Sequence, residues 1–103
     1  MTLEDFNTVL EGTGYPVAFR CFPKETSHNP PFICYITPDS DVFSADGKTY
    51  HKAQNVQVEL YTADKDETAE ATVEEALADF YYTKEEDYID SERIYMVAYN
   101  LTL

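Results

Sequence analysis

Asn55-Val56-Gln57-Val58-Glu59-Leu60-Tyr61-Thr62, the turn Asp64-Lys65-Asp66 and the run from Ala69 to Phe80 decide how this chain folds. In the first piece Val56, Val58 and Leu60 alternate with Gln57, Glu59 and Tyr61. Side chains along a strand change face at every residue, so this is a strand with one fully apolar face. In the last piece Ala69, Val73, Ala76, Leu77 and Phe80 recur at helical spacing and form one continuous stripe. Glu70, Glu74, Glu75 and Asp79 are expected on the wet side of that helix, and acids in its first turn suit the helix dipole.

Downstream, Tyr81 to Lys84 predicts a short, weak strand, and Glu85-Glu86-Asp87 reads as a solvated turn. Arg93 to Leu103 predicts a strong strand. Tyr95, Val97, Tyr99, Leu101 and Leu103 take one face and Ile94, Met96, Ala98, Asn100 and Thr102 the other. Both faces are largely apolar, so the strand is expected to be covered on both sides, by its own core or by a partner.

Upstream, Leu3, Phe6, Val9 and Leu10 predict a short helix with Thr2 as its N-cap and Asp5 at the third position. Gly12 and Gly14 stop it, and Pro16 prevents it from resuming. Val17 to Phe22 predicts a strand, Pro23 to Pro31 a polar loop, and Phe32 to Thr37 a central strand, apolar on both faces. Asp46-Gly47 between Phe43-Ser44 and Thr49-Tyr50 predicts a hairpin tip or projecting loop. The order is helix, strand, strand, hairpin, strand, helix, strand, strand. It predicts an α+β fold in a single domain over residues 1–103: a small, mainly antiparallel sheet with two helices packed on one face.

Twenty acids against seven bases give a net charge of −13, opposite in sign to a nucleic-acid binder. The charge is concentrated. Residues 59–92 hold thirteen acids and two lysines, net −11, and the other sixty-nine residues are net −2. The expected acidic surface comprises Glu70, Glu74, Glu75, Asp79, Glu85, Glu86 and Asp87. Met1 to Leu10 lacks the basic stretch and cleavage site of a signal peptide, and no apolar run is long enough to span a membrane.

Candidate chemistry is sparse. Three glycines cannot build a phosphate-binding loop. Cys21 and Cys34 lie in apolar contexts and are expected to be interior thiols. With His28 and His51 they would space as Cys-x6-His-x5-Cys-x16-His, which matches no common zinc pattern. The pairs Asp39-x-Asp41 and Asp64-x-Asp66 lack the glycine and terminal glutamate of a calcium loop. The chain is therefore expected to be no enzyme and to need no cofactor. Nine tyrosines and six phenylalanines exceed what one small core needs, which points to an interaction protein. The expected interface residues are Val42, Phe43 and Tyr50 in the projecting segment, and Tyr95 and Tyr99 in the two-sided last strand.

The ordered set of Gly14-Tyr15-Pro16-Val17-Ala18-Phe19, Pro31-Phe32-Ile33-Cys34-Tyr35, the run Asn55 to Asp66, the helix Glu70 to Leu77 and Tyr88-Ile89-Asp90-Ser91-Glu92-Arg93-Ile94-Tyr95 resembles a family of small structural proteins. These are the tail completion, tail terminator or minor tail proteins of long-tailed phages and prophages of Gram-positive bacteria. The resemblance implies a small sheet flanked by two helices, assembled as a ring, expected as a hexamer, in the tail of the virion. Such a ring caps the tail tube, meets tube and head-connector proteins, and lets DNA pass without binding it specifically. The rival reading is a small acidic inhibitor that mimics DNA and occupies a nucleic-acid-binding host protein through its negative face.

Overall fold

The computed structural model describes residues 1–20, 29–38, 40–45 and 48–103; for 40–45 and 48–53 it describes the backbone alone. The elements in chain order are α1 (Leu3–Glu11), β1 (Val17–Phe19), β2 (Phe32–Ile36), β3 (Ser40–Ala45), β4 (Lys48–Thr62), α2 (Glu67–Ala76), β5 (Tyr82–Ile89) and β6 (Ile94–Thr102). The sheet runs β1-β2-β4-β6-β5, with β3 paired to β4. Only β1 and β2 are parallel; the other pairs are antiparallel. The α+β architecture expected from the alternation of periods is therefore the observed one.

Register explains the core. Val58 stands opposite both Tyr35 and Tyr99, Leu60 opposite Ile33 and Val97, and Val56 opposite Leu101. These residues share one face of the sheet, and every one of them is buried. Both helices cover that face. Phe6 and Leu10 of α1 and Ala69 and Val73 of α2 join the same cluster, with Leu77 just past the end of α2. Phe6 packs edge-on against Tyr35 and against Phe80, at ring separations of 6.2 and 5.5 Å. Each such side chain removed from water is worth about 1.5–3 kcal/mol before the entropy of ordering it.

The helix start is the expected one. Thr2 accepts from the Asp5 N–H at 3.1 Å, and Asp5 accepts from the Thr2 N–H at 3.2 Å, a reciprocal capping box. Gly12 caps the end, and Gly14 takes the left-handed conformation, φ 86°, that turns the chain toward β1.

Three expectations need correction. β1 ends at Phe19, and the strand expected through Phe22 is broken at Arg20, which adopts φ 73° and donates its N–H to the Tyr35 carbonyl at 2.8 Å. Cys21 and Phe22 lie outside the described residues, as do His28, Asp39 and the Asp46-Gly47 tip. The weak strand at Tyr81 to Lys84 is in fact the eight-residue β5, and Glu85-Glu86-Asp87 lie inside it, opposite Ala98, Val97 and Met96. An edge strand tolerates charges that a central strand would not, since one of its sides stays in water. The turn falls later, at Asp90 to Arg93, where Arg93 takes φ 52°. Finally, Tyr99 is completely buried beneath α2, so it belongs to the core and not to an interface.

Replacing Phe6 with Ala should remove the link between α1, β2 and Phe80 and cost about 3–5 kcal/mol in chemical denaturation. Thr2→Ala, which removes only the cap, should cost about 0.5–2 kcal/mol in the same measurement.

Candidate functional site

Helical geometry already places Glu70 beside the core. At 3.6 residues per turn its direction differs from that of Leu77 by only about 20°. The expectation of a solvent-facing Glu70 is therefore wrong: the residue is 4% exposed. A buried carboxylate is costly unless paired. Here Lys65, at the approach to α2, and Lys84, on β5, supply the charge. Lys84 Nζ lies 2.7 Å from Glu70 Oε1 and 2.9 Å from Glu74 Oε2. Lys65 Nζ donates to Glu70 Oε1 at 2.9 Å. It lies equally close to Oε2, but only as a charge contact, and Oε2 accepts no hydrogen bond.

The cluster extends onto β6. The Tyr99 hydroxyl donates to Glu74 Oε2 at 2.9 Å, and the Tyr95 hydroxyl to Glu86 Oε1 at 2.7 Å. Lys65 also pairs with Glu86. Burial and the Glu74 hydrogen bond hold the Tyr99 hydroxyl far above its ordinary pKa. Burial works against the charged form of Glu74, but hydrogen bonds from Lys84 and Tyr99 outweigh it and lower its pKa. The Glu70 and Glu74 hydrogen bonds raise that of Lys84. Three glutamates, two lysines and two tyrosine hydroxyls thus tie α2 to β5 and β6. The arrangement holds no nucleophile poised against a base, and the described residues contain no group of three or more His, Cys, Asp or Glu that could hold a metal ion.

The acidic surface expected from the sequence therefore divides. Glu70, Glu74 and Glu86 are matched by lysines inside the cluster. Glu75, Asp79, Glu85 and Asp87 are exposed and have no ion pair among the described residues. Of the expected interface residues, Tyr95 is partly buried against Glu86 and Tyr99 is interior. Val42, Phe43 and Tyr50 lie on β3 and β4, and their side chains are outside what the structure describes.

Two further features were legible in the sequence only in outline, as strands apolar on both faces and a projecting hairpin. The sheet face away from the helices carries Phe32, Ile36, Tyr61 and Met96 around the buried Cys34 and Ala98. Phe32 and Tyr61 stack at 5.0 Å, and Glu59 accepts from both Tyr61 and Gln57 at 3.0 Å. The second feature is the length of β4. Its residues Asn55 to Thr62 pair with β6 and Gln54 still accepts from the Leu103 N–H, whereas among the described residues Lys48 to Ala53 lie beside β3 alone. Fifteen strand residues span about 50 Å, and the molecule measures 50 × 27 × 23 Å. The β3–β4 hairpin is thus an arm reaching beyond the core sheet. No helix among the described residues is long and apolar enough to cross a membrane.

No protein-family model matches this chain, and no curated protein matches it either.

Removing one lysine from the cluster should cost more than removing the acid it serves. Lys84→Met leaves the buried Glu70 with Lys65 as its one cation and should destabilise by about 1–3 kcal/mol. Glu70→Leu, which removes the buried charge itself, should cost less in the same urea titration. The pH dependence has a definite sign. Glu74, lowered from its ordinary 4.5, contributes stability above that pH, and this is lost as pH falls through its folded value. Lys84, raised from 10.5, contributes below that pH, and this is lost as pH rises through its folded value. Glu74→Gln should flatten the acid limb of the stability profile and weaken the alkaline limb without removing it, because Glu70 still holds Lys84.

Proposed function

We propose that this chain is a non-catalytic structural subunit of the head–tail junction of a phage, assembled as a six-membered ring that terminates or completes the tail tube. Its place is the tail of the virion. Its partners are its own copies, the tube protein and the head-connector proteins, and DNA passes through the ring without being specifically bound. The ordered sequence resemblance to tail completion and terminator proteins motivates the reading. The observation that carries it is the β3–β4 arm. A two-stranded hairpin standing alone is marginal in water and gains stability from a third strand or a packing surface. Among the described residues, the six from Lys48 to Ala53 of β4 have only β3 beside them. A neighbouring subunit would supply the missing support, and the apolar residues Val42, Phe43 and Tyr50 occur within this arm.

In a ring that passes DNA, an acidic or neutral lumen keeps the duplex mobile, because like charges repel. Of the expected acidic surface, Glu75, Asp79, Glu85 and Asp87 have no cation among the described residues, and they are the candidates for that lining. Free subunits stay monomeric until a tube end templates the ring.

Phe43→Asp with Tyr50→Asp should abolish head–tail joining in particles viewed by electron microscopy, while circular dichroism shows an unchanged fold. Normal joining and infectious yield would remove the arm from the interface. Reversal of Glu75, Asp79, Glu85 and Asp87 to Lys separates the rival readings. It should leave tails assembled but impair DNA delivery. Intact delivery, together with lost binding to a nucleic-acid-binding host protein, would favour the DNA-mimic reading instead.

A further inference from the structure

We propose that the outer edge of β5 accepts an added strand from another protein, an extended segment carrying lysine or arginine at alternate positions. β5 is the last strand in the order β1-β2-β4-β6-β5 and bonds to β6 along one side only. Alternate N–H and C=O groups on its other side face outward, a ready template for a further strand. Charge guards this edge and the Asp87 carboxylate accepts from the Tyr88 N–H at 2.8 Å, but no described residue covers the rest of the ladder. The register runs unbroken from Tyr82 opposite Leu101 to Ile89 opposite Ile94, with no proline, glycine or bulge. Six consecutive residues, 83–88, are exposed.

The open ladder makes the site, and the side chains select the occupant. On the helix side of β5, Lys84 and Glu86 are already engaged by Glu70, Glu74, Lys65 and Tyr95. On the opposite side Glu85 and Asp87, two residues apart, have no cation within reach among the described residues. An incoming strand sets its side chains directly opposite those of its neighbour, with Cβ atoms about 4.5–5.5 Å apart. Basic residues two positions apart on that strand would each meet one of these acids. Tyr81 and Tyr88 bracket the stretch. Tyr81 is fully exposed and Tyr88 is 45% exposed, and each offers an aromatic face with a polar tip, suited to stacking or to a cation.

Charge argues against a second copy in this position. β5 carries three acids and one lysine, so pairing it with itself would set two net-negative strands edge to edge. The inference does not depend on the ring reading, which uses the β3–β4 arm; either can fail without the other.

The test uses the full chain and three short synthetic peptides. One alternates Lys with Val, one alternates Glu with Val, and one is a helix-forming peptide with the Lys content of the first. Amide hydrogen exchange is followed by NMR. The Lys/Val peptide should bind, more weakly as salt is raised, and should slow exchange at alternate amides of β5. Glu85→Lys with Asp87→Lys, whose fold is checked by circular dichroism, should weaken binding about tenfold or more. Glu75→Lys with Asp79→Lys, an equal charge reversal on α2, should leave the β5 protection in place. Equal binding of the Glu/Val or helical peptide would overturn the proposal. So would protection mapping to α2, or an equal loss in both double variants. Concentration-dependent protection of β5 without peptide would overturn it in favour of self-pairing.

Discussion

The structure depends on one strand being apolar on a single face. Val56, Val58 and Leu60 of β4 are each flanked by core residues on β2 or β6, and both helices close over them. Slipping β4 by one residue would turn these three to the open face and bring Gln57, Glu59 and Tyr61 under the helices, burying a carboxylate without a cation. The register of the whole sheet is therefore tied to the alternation in β4. The placement of α1 and α2 follows, because each has one apolar stripe and only one sheet face can receive it.

A second constraint follows from packing α2 on that face. The helix lies where Glu70 must enter the interior, and the cost is met by two lysines that come from different elements. Lys84 comes from a strand that pairs only at the edge of the sheet. The same contact that makes Glu70 tolerable thus orients β5 and fixes which of its side chains are occupied. Lys84 and Glu86 turn inward to the cluster, and Glu85 and Asp87 are left to water. Charge that reads as one acidic block along the chain becomes two populations in the fold. One is neutralised and structural, the other free for encounter with something outside.

Three surfaces lie away from the helix-covered core among the described residues: the β3–β4 arm, the sheet face that carries Tyr61, and the outer edge of β5. Each offers something a solitary domain does not need. The arm has a backbone ladder satisfied on one side only. The open face has a stacked aromatic pair next to a carboxylate held by two donors. The edge has eight residues of regular strand guarded by charge alone. Lys65, Glu74, Lys84, Glu86, Tyr95 and Tyr99, whose pKa values are altered, form salt bridges and hydrogen bonds between elements, which are contacts of stability.

The local pattern of residues by itself determined the order of elements, the fold class, the capping box at Thr2 and Asp5, the face of β4 that is buried and the hairpin around Asp46-Gly47. These rest on spacing along the chain, where period two and period 3.6 differ sharply. Tertiary structure decided what spacing leaves open. Glu85-Glu86-Asp87 has the composition of a turn, yet it is strand because β6 offers an unpaired edge opposite Ala98, Val97 and Met96. Tyr99 alternates like a surface residue of a two-sided strand, yet it is interior because α2 lies above it. Glu70 stood near the edge of the apolar stripe from the start, by its angle to Leu77. Only the arrival of Lys65 and Lys84 from elsewhere in the chain determined that a charge could be kept there, since a buried ion needs partners that no single helix supplies.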